Sequence, residues 1–158
     1  MVSQNTIKMK KITFLSLLSC LFLVTSLFAQ TTYYVKLGGN NSGGLSVENA
    51  FTTVNNAVQA ASDGDTINIV GPINQTGQVA VGKSISFVGQ SDATITGASA
   101  RMYVVNAANK TISFTGITFQ DANSSNPGAV ITITQSSDLT LTNCILKNNV
   151  SADKGGAI

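Results

Sequence analysis

Apolar and polar residues alternate along much of the chain after residue 65, and the pattern recurs at a regular interval. Ile85, Ile112 and Leu139 are spaced by 27 (112 − 85 and 139 − 112), and a Ser or Thr follows each of them. The next positions are again apolar and have the same spacing: Phe87, Phe114 and Leu141. Alternation with a period of two predicts short β-strands that turn one face inward and the other toward solvent.

Two further sets of positions keep the same register. They are Gly89, Gly116 and Asn143, and Val104, Ile131 and Ile158. The first set consists of residue types that adopt a positive φ at little cost, so it predicts a recurring turn. One such unit of short strands cannot bury its apolar side alone, but stacked copies bury it in a continuous column. The sequence therefore predicts a parallel β-helix of about 27 residues per coil, with neighbouring strands ~4.8 Å apart.

The beginning of the repeat is irregular. After Gly89 the first copy continues with "QSD", where the later copies have "ITF" and "CIL", and its apolar "ATITG" follows a few positions later. We expect a distorted coil or a rerouted loop at this point. Two more strands are predicted upstream, at 65–70 and 78–81, and the spacing from Ile67 to Ile85 is only 85 − 67 = 18. The first coil should accordingly be short.

One amphipathic helix is predicted, over residues 46–62. Its apolar face has helical spacing and comprises Val47, Ala50, Phe51, Val54, Ala57, Val58 and Ala61. Ser46 suits the N-cap, Glu48 the first turn, and Asp63-Gly64 the C-terminal stop. An open end of a β-helix exposes unpaired strand edges, so we expect this helix to cap it. Residues 30–64 would form the N-terminal strand and capping helix, and residues 65–158 the coils.

Residues 1–29 have the pattern of a secretory signal peptide. Three lysines near residue 10 precede an almost wholly apolar run from residue 12 to 28, and Ala29 then offers a cleavage point. Two alternatives fit less well. A retained membrane anchor needs about twenty apolar residues, and this run is slightly shorter. A lipidated Cys20 would normally be followed by a polar tether, whereas an apolar segment follows it here. We predict export, with no transmembrane helix left after signal removal.

Composition narrows the chemistry of the exported part. Cleavage after Ala29 leaves the segment 30–158 with six basic and seven acidic side chains, a net charge of 6 − 7 = −1. No basic stripe remains, so we expect no nucleic-acid partner. Cys144 becomes the only cysteine, which rules out an internal disulfide, and its alignment with Ile117 predicts a buried apolar role. The chain has no His and no Trp.

The acidic residues do not form a recognisable catalytic or metal set. They are Glu48, Asp63, Asp65, Asp92, Asp121, Asp138 and Asp153. They do not form a vertical acidic ladder, since only Asp65 and Asp92 have the spacing of 27 (92 − 65). The "DGD" at 63–65 lacks the spacing of a calcium loop. Arg101 is the only arginine after the signal and has the character of a solvated rim residue. We therefore predict no catalytic, metal-binding or cofactor-binding residue, and no cofactor.

The remaining candidates also favour structural roles. Tyr33 and Tyr34 face opposite sides of any strand, so packing is a better interpretation than a sugar-stacking platform; the same holds for Tyr103. Three asparagines near the end suit either a ladder of stacked amides or ordinary turn and loop positions. They are Asn143, Asn148 and Asn149. The turn and loop interpretation is the simpler one.

Two stretches resemble known families. The segment "TTYYVKLGGNNSGG…AFTTVNNAVQAASDGDTINIVGPI" resembles the N-terminal end of secreted pectin-lyase-like, right-handed β-helix proteins. The end, "LKNNVSADKGGAI", resembles the polymorphic outer-membrane protein repeat, marked by FxxN followed by GGAI. Leu146 replaces the Phe of that motif, and in the preceding copy Phe119 is kept while Ala122 replaces Asn. The resemblance implies a right-handed coil and a secreted or cell-surface protein, in the outer membrane of a Gram-negative-type bacterium.

The function expected from these observations is that of a non-catalytic, adhesin-like interaction scaffold whose partners are surface glycans or host or cell-surface proteins. The alternative is the opening part of a polysaccharide lyase or glycoside hydrolase with its catalytic residues beyond Ile158. A carbohydrate-binding module is a third possibility. Because Ile158 falls partway through a coil, we expect the chain to be the N-terminal fragment of a longer protein. Further coils, or a partner, would cover the open end.

Overall fold

The computed structural model describes residues 29–158, and the predicted signal peptide lies outside this range except for Ala29. The described part contains one helix, α1 (Val54–Ala60), and twelve strands. The strands are β1 (Thr32–Lys36), β2 (Thr66–Asn74), β3 (Val79–Val81), β4 (Ile85–Thr96), β5 (Tyr103–Val105), β6 (Thr111–Thr115), β7 (Thr118–Gln120), β8 (Asn123–Ser124), β9 (Ile131–Ile133), β10 (Asp138–Thr142), β11 (Ile145–Lys147) and β12 (Val150–Ser151).

The strands form three sheets, and every strand pair is parallel. The largest sheet has the order β1-β2-β4-β6-β10, and β7 and β11 continue it beside the second half of β4. The second sheet has the order β3-β5-β9, and the third pairs β8 with β12. Apart from β1 and β2, no strand of the described residues pairs with the strand that directly precedes it along the chain, because the chain returns to each sheet only after one repeat. The described residues are mostly β-structure and do not form a closed barrel.

The predicted spacing of 27 is confirmed in the largest sheet. Ile85 lies beside Ile112, and Ile112 lies beside Leu139. The second apolar set follows the same register, as do β7 with β11 and β8 with β12. Each of these strands is therefore hydrogen-bonded to the strand that occupies the same place one repeat earlier.

The second sheet departs from that spacing between β5 and β9, so the predicted alignment of Val104 with Ile131 is wrong. Ile131 lies beside Tyr103, one residue earlier than expected. The physical reason is a longer connection in the later repeat: eight positions separate Ile95 from Tyr103 (103 − 95), whereas twelve separate Phe119 from Ile131 (131 − 119). Ile158 keeps its predicted place beside Ile131, since the Ile131 amide donates to the neighbouring Ala157 carbonyl at 3.1 Å. Its side chain is nevertheless 53% exposed rather than part of an inner row.

The predicted turn is present, but Gly89 is not part of it. The positive φ values belong to Asp92 (60°), Gly116 (67°) and Asn143 (53°). Gly89 lies within β4 beside Ile69, and a Cβ there would come within 2.1 Å of the Gly116 carbonyl oxygen. Glycine is needed at 89 for close backbone approach rather than for backbone conformation.

The structure also shows the predicted irregularity at the start of the repeat. The pairing of Thr94 with Thr118 has a spacing of 24 (118 − 94), so three extra residues leave the sheet at the first corner. The first coil is short as predicted, although Ile67 pairs with Phe87 and not with Ile85. Its spacing is therefore 20 (87 − 67) instead of 18.

The helix is shorter than predicted: it covers Val54–Ala60 instead of 46–62. Thr53 rather than Ser46 is the N-cap, and its hydroxyl accepts a hydrogen bond from the Asn56 amide at 3.2 Å. The Ser46 hydroxyl accepts from the Asn49 amide at 3.3 Å within a turn. Helical spacing alone did not reveal that part of this segment is hydrogen-bonded to β1.

Residues 44–51 supply hydrogen-bond partners for the outer edge of β1. The Phe51 amide donates to the Tyr34 carbonyl at 2.8 Å, and the Phe51 carbonyl accepts from the Lys36 amide at 3.0 Å. The Tyr34 amide donates to the Gly44 carbonyl at 2.7 Å. Unpaired strand edges are costly when they are covered, so residues 44–51 remain extended or turned, and the helix starts only after them.

Aromatic rings fill the interior. Phe87 and Phe114, one repeat apart, stack with ring centroids 4.6 Å apart and an interplanar angle of 11°. Tyr103 meets both rings edge-on, with centroid distances of 5.6 Å to Phe87 and 5.1 Å to Phe114, and Phe119 meets Phe114 edge-on at 5.3 Å. The Tyr103 hydroxyl is fully buried without a hydrogen-bond partner in the described chain, and this burial raises its pKa.

Lys83 joins the helix to the coils. Its ammonium group donates to the carbonyl oxygens of Val58 and Gln59 at 3.1 Å each, and also to the Ala61 carbonyl. These are carbonyls at the end of α1, which have no partner within the helix. A positive charge at the helix C-terminus is favourable as well. Lys83 thus fixes the end of the helix from a later part of the chain.

We expect Lys83→Met to lower the free energy of unfolding by about 1–3 kcal/mol, because the carbonyls lose a charged donor. Urea unfolding followed by circular dichroism measures the change. The matched control is Lys147→Met, since the Lys147 side chain is exposed in β11 and makes no hydrogen bond within residues 29–158. An equal loss in both variants would contradict this role for Lys83.

A second prediction concerns Asn149. Its side chain accepts from the Ala122 amide at 3.0 Å and donates to the Phe119 carbonyl at 3.1 Å, both one repeat earlier. Asn149→Ala leaves both groups unpaired and should cost about 1–3 kcal/mol in urea unfolding. The control is Asn123→Ala, since the exposed Asn123 side chain makes no hydrogen bond within residues 29–158. If the control variant loses as much stability as Asn149→Ala, the contact is unimportant.

Candidate functional site

A column of hydroxyl groups follows the outward face of the largest sheet. Its members are opposite one another on successive strands: Thr32, Thr66, Ser86, Ser113 and Thr140. Neighbouring strands are ~4.8 Å apart, and the Ser113 hydroxyl lies 3.1 Å from that of Ser86. The inward alternation of the apolar residues places these hydroxyls outside. They give the sheet an uncharged, hydrogen-bonding surface.

A pocket of about 340 Å³ lies beside the start of α1. It is lined mainly by amide side chains from α1 and from the connection between β2 and β3: Asn55, Asn56, Asn74, Gln75 and Gln78. Thr53, Thr76 and Gly77 complete the lining. None of these side chains is charged. The pocket is therefore polar and neutral.

Local folding turns these amides toward the same space. In α1 the buried residues are Val54, Ala57 and Val58, which leaves Asn55 and Asn56 on the other side of the helix. At the end of β2, Ile73 points inward, so Asn74 points outward. The two elements meet because α1 packs on β1 and β3, the strand that follows the Asn74–Gln78 connection.

Some of these amide groups already form hydrogen bonds within the protein, and others do not. Gln75 is buried, and its Nε2 donates to the Gly77 carbonyl at 2.5 Å, which stabilises the loop. The Asn56 Nδ2 donates to the Asn41 Oδ1 at 3.3 Å. Asn55, Asn74 and Gln78 make no side-chain hydrogen bond to any part of residues 29–158. Each free amide offers both a donor and an acceptor, which suits ligands rich in hydroxyl groups.

A larger groove of about 420 Å³ lies next to the predicted cleavage point, between Gln30 and residues 62–65. Both of its carboxylates are used by the fold. Asp65 accepts from the Thr31 amide at 2.8 Å and the Ser62 amide at 2.6 Å. These bonds join the start of β1 to the turn before β2. They agree with the structural interpretation of "DGD" as a helix stop and strand entry.

Asp63 is hydrogen-bonded to residues of the repeats that follow it. It accepts from the Ser84 amide at 2.7 Å and from the Lys110 ammonium group at 3.1 Å. The Ser84 amide is the larger cause, and Lys110 the second, of the lowered pKa of this exposed carboxyl. In the part of the chain from residue 29 onward, no cluster of three or more Cys, Asp or Glu side chains is placed to hold a metal.

The other acidic and basic candidates are dispersed. Asp92 and Asp121 occupy positive-φ corners, and Asp121 accepts from the Asn148 side chain at 3.2 Å. Asp138 starts the outermost strand of the largest sheet. Arg101 is half-exposed and makes no salt bridge with any described residue. The structure does not bring these side chains together.

The tyrosines and Cys144 pack as the sequence suggests. Tyr103 is buried, and Tyr33 packs against the core with its hydroxyl 3.3 Å from the Ala60 carbonyl. Tyr34 is half-buried and does not form a platform with Tyr33. Cys144 is half-buried against the core rather than fully buried. Its sulfur lies 3.4 Å from the Phe114 carbonyl oxygen.

The asparagines are partly as expected. Asn143 and Asn148 have positive φ values and fill turn positions, as predicted. Asn149 is not an ordinary loop residue, because its amide spans two coils through the bonds to Ala122 and Phe119. The signal that could have revealed it is the motif itself: Asn149 stands three positions after Leu146, at the Asn position of FxxN.

A scan against protein-family models found no match to this chain, and searches of the curated proteins and of the solved structures found none either. Within residues 29–158, no helix has the length and apolar character that crossing a membrane requires.

The Asp63 contacts generate a prediction about pH. A carboxyl whose pKa is lowered by folding stabilises the folded state above its unfolded pKa, near 3.8, and this contribution disappears as the pH falls through the folded value. The difference in urea midpoint between the wild-type protein and Asp63→Asn should therefore be present at pH 6 and shrink toward pH 2. Asp153→Asn is the control, since the Asp153 carboxylate accepts no hydrogen bond within the described range. A difference that stays constant with pH would contradict the assignment.

Proposed function

We propose that the three parallel sheets are the faces of a right-handed parallel β-helix whose coils repeat at the spacing of 27. The support is the strand register, in which Ile85, Ile112 and Leu139 lie side by side. Residues 65–158 supply the coils, and residues 30–64 supply β1 and a cap at the N-terminal end. The right hand rests on the resemblance to pectin-lyase-like proteins and on the general preference of parallel crossovers.

The protein acts, in this proposal, outside the cell or at the outer membrane of a Gram-negative-type bacterium, as an adhesin-like scaffold. The signal-peptide pattern of residues 1–29 and the GGAI motif at Gly155–Ile158 support this location. The solvent-facing chemistry is consistent with a binding role, because the hydroxyl column and the amide pocket are uncharged and rich in hydrogen-bonding groups.

The observation that carries the proposal is the set of free amides at Asn55, Asn74 and Gln78 around one pocket. Vicinal hydroxyls on a sugar ring present a donor and an acceptor side by side, and a carboxamide matches both. A volume of about 340 Å³ accommodates one or two sugar residues. The absence of charge from the lining favours neutral over acidic sugars. We therefore propose neutral surface glycans as the ligands of this scaffold.

The test uses the exported form, residues 30–158, with neutral monosaccharides and short oligosaccharides of glucose, galactose and N-acetylglucosamine. Shallow polar pockets bind single sugars weakly, so we expect a Kd of about 1 mM, or ~−4 kcal/mol. Titration followed by NMR measures it. The double variant Asn55→Ala/Gln78→Ala should weaken binding by about tenfold, equivalent to ~1.4 kcal/mol.

The matched control is Gln90→Ala, which removes an exposed amide outside the pocket and should leave the Kd unchanged. No chemical-shift change with any sugar at about ten times the expected Kd would refute the glycan proposal. If Gln90→Ala weakens binding as much as the double variant does, the pocket is not the binding site. Cleavage of an oligosaccharide during the titration would refute a purely binding role and would place catalytic residues within residues 30–158.

A further inference from the structure

The loop that follows β1 packs closely on the segment that leads into α1. The Asn41 amide donates to the Ala50 carbonyl at 3.1 Å. A Cβ at Gly39 would come within 2.4 Å of the same carbonyl oxygen, so the two backbones are in direct contact there. Asn41 has a positive φ of 58°, a conformation that asparagine adopts more readily than most residues. The loop therefore holds Asn41 against the chain just before α1.

The side-chain oxygen of Asn41 is shared by three donors. It accepts from the Thr52 amide at 2.9 Å, from the Thr52 hydroxyl at 3.1 Å and from the Asn56 Nδ2 at 3.3 Å. Thr52 directly precedes the N-cap of α1, and Asn56 lines the amide pocket. Asn41 is not part of that lining. It therefore acts on the pocket through Asn56 and not by touching a ligand.

The Thr52 backbone determines the orientation of both asparagine side chains. An amide N–H can only donate, so the atom of Asn41 that it meets has to be the carbonyl oxygen. That oxygen can only accept, so Asn56 has to turn its Nδ2 toward Asn41. In the planar carboxamide the Asn56 Oδ1 points away from this bond, and it makes no hydrogen bond within residues 29–158. It is left as an acceptor on the pocket side.

This fixed acceptor distinguishes Asn56 from the other amides of the pocket. Asn55, Asn74 and Gln78 are unbonded within the described residues, so each can rotate and offer a ligand either its donor or its acceptor. Asn56 cannot exchange its two groups without losing the bond to Asn41. One point of the pocket should thus require a donor from the ligand. A sugar hydroxyl supplies one, whereas an ether or ring oxygen does not.

We propose that Asn41 is a positioning residue of the amide pocket: it holds Asn56 with its oxygen toward the ligand, and the pocket thereby selects a hydrogen-bond donor at that point. The inference rests on the proposed binding function, because it assigns a role in the same pocket. Asn41 stays behind the pocket wall and does not contact the sugar.

Two substitutions at position 41 separate the acceptor from the backbone conformation. Asn41→Gly keeps the positive φ but removes the oxygen, whereas Asn41→Asp keeps both. In NMR titrations of residues 30–158 with glucose, galactose or N-acetylglucosamine, we expect Asn41→Gly to raise the Kd about fivefold. Asn41→Asp should retain the wild-type Kd. The matched control is Asn40→Ala, since Asn40 lies in the same loop and bonds Ser42 and Asn49 but not α1.

A second readout needs no sugar. The Thr52 amide proton and one Nδ2 proton of Asn56 point at the same oxygen, so they should give a nuclear Overhauser effect in the free protein. We expect this signal in the wild-type protein and in Asn41→Asp, and we expect its loss in Asn41→Gly. Circular dichroism verifies that each variant is folded.

The outcomes separate this inference from the proposed function. Equal sugar affinity of wild type and Asn41→Gly, or an Overhauser effect that persists in Asn41→Gly, would overturn the role of Asn41. So would a loss of affinity in Asn41→Asp or in Asn40→Ala as large as that in Asn41→Gly. If no sugar binds the wild-type protein while the Overhauser effect depends on Asn41 as expected, the glycan function is refuted and the positioning of Asn56 by Asn41 is retained.

Discussion

The hydrogen-bonded pairing of each strand with the strand one repeat earlier is the constraint on which the structure depends. All nine strand pairs within residues 29–158 are parallel, and four of them have the spacing of 27, so equivalent side chains in these four pairs are stacked directly above one another. The stack of Phe87 and Phe114 is the result in the core, and the hydrogen bond between Ser86 and Ser113 is the result on the surface. One backbone register thus determines both the interior and the exterior, as in other repeat architectures.

This constraint explains which parts of the fold could be predicted from the sequence. The positions of Ile85, Ile112 and Leu139 were predictable because apolar periodicity reports directly on a buried strand face. The start of the helix was not, since Phe51 fits a helical face as well as it fits the edge of β1. Phe51 pairs with β1 because of the backbone groups of that strand, and no pattern of side chains reveals those groups. Gly89 was misassigned for a related reason: glycine serves both positive φ and close approach, and only three-dimensional contact distinguishes them.

The candidate site was largely hidden from sequence reasoning. Asn55 and Gln78 are distant in the chain and belong to no motif, and amides are common in turns and at helix ends. What makes them notable is that both line one pocket and that their side chains make no hydrogen bond within residues 29–158, which is a property of the fold. Asn149 is the contrasting case. Its position in the FxxN motif is visible in the sequence, but its bonds to Ala122 and Phe119 show that it stabilises the stack.

The location of the pocket follows from the same geometry. Stacking equal strands ~4.8 Å apart produces flat faces, on which a residue in one repeat is covered by its equivalent in the next. A break in the repeat interrupts such a face and leaves room for a depression. The main break lies in the first coil, where the strand spacing falls from 27 to 20 and α1 is packed beside β3. The amide pocket therefore lies in the irregular N-terminal part, beside α1, and not on the regular repeats.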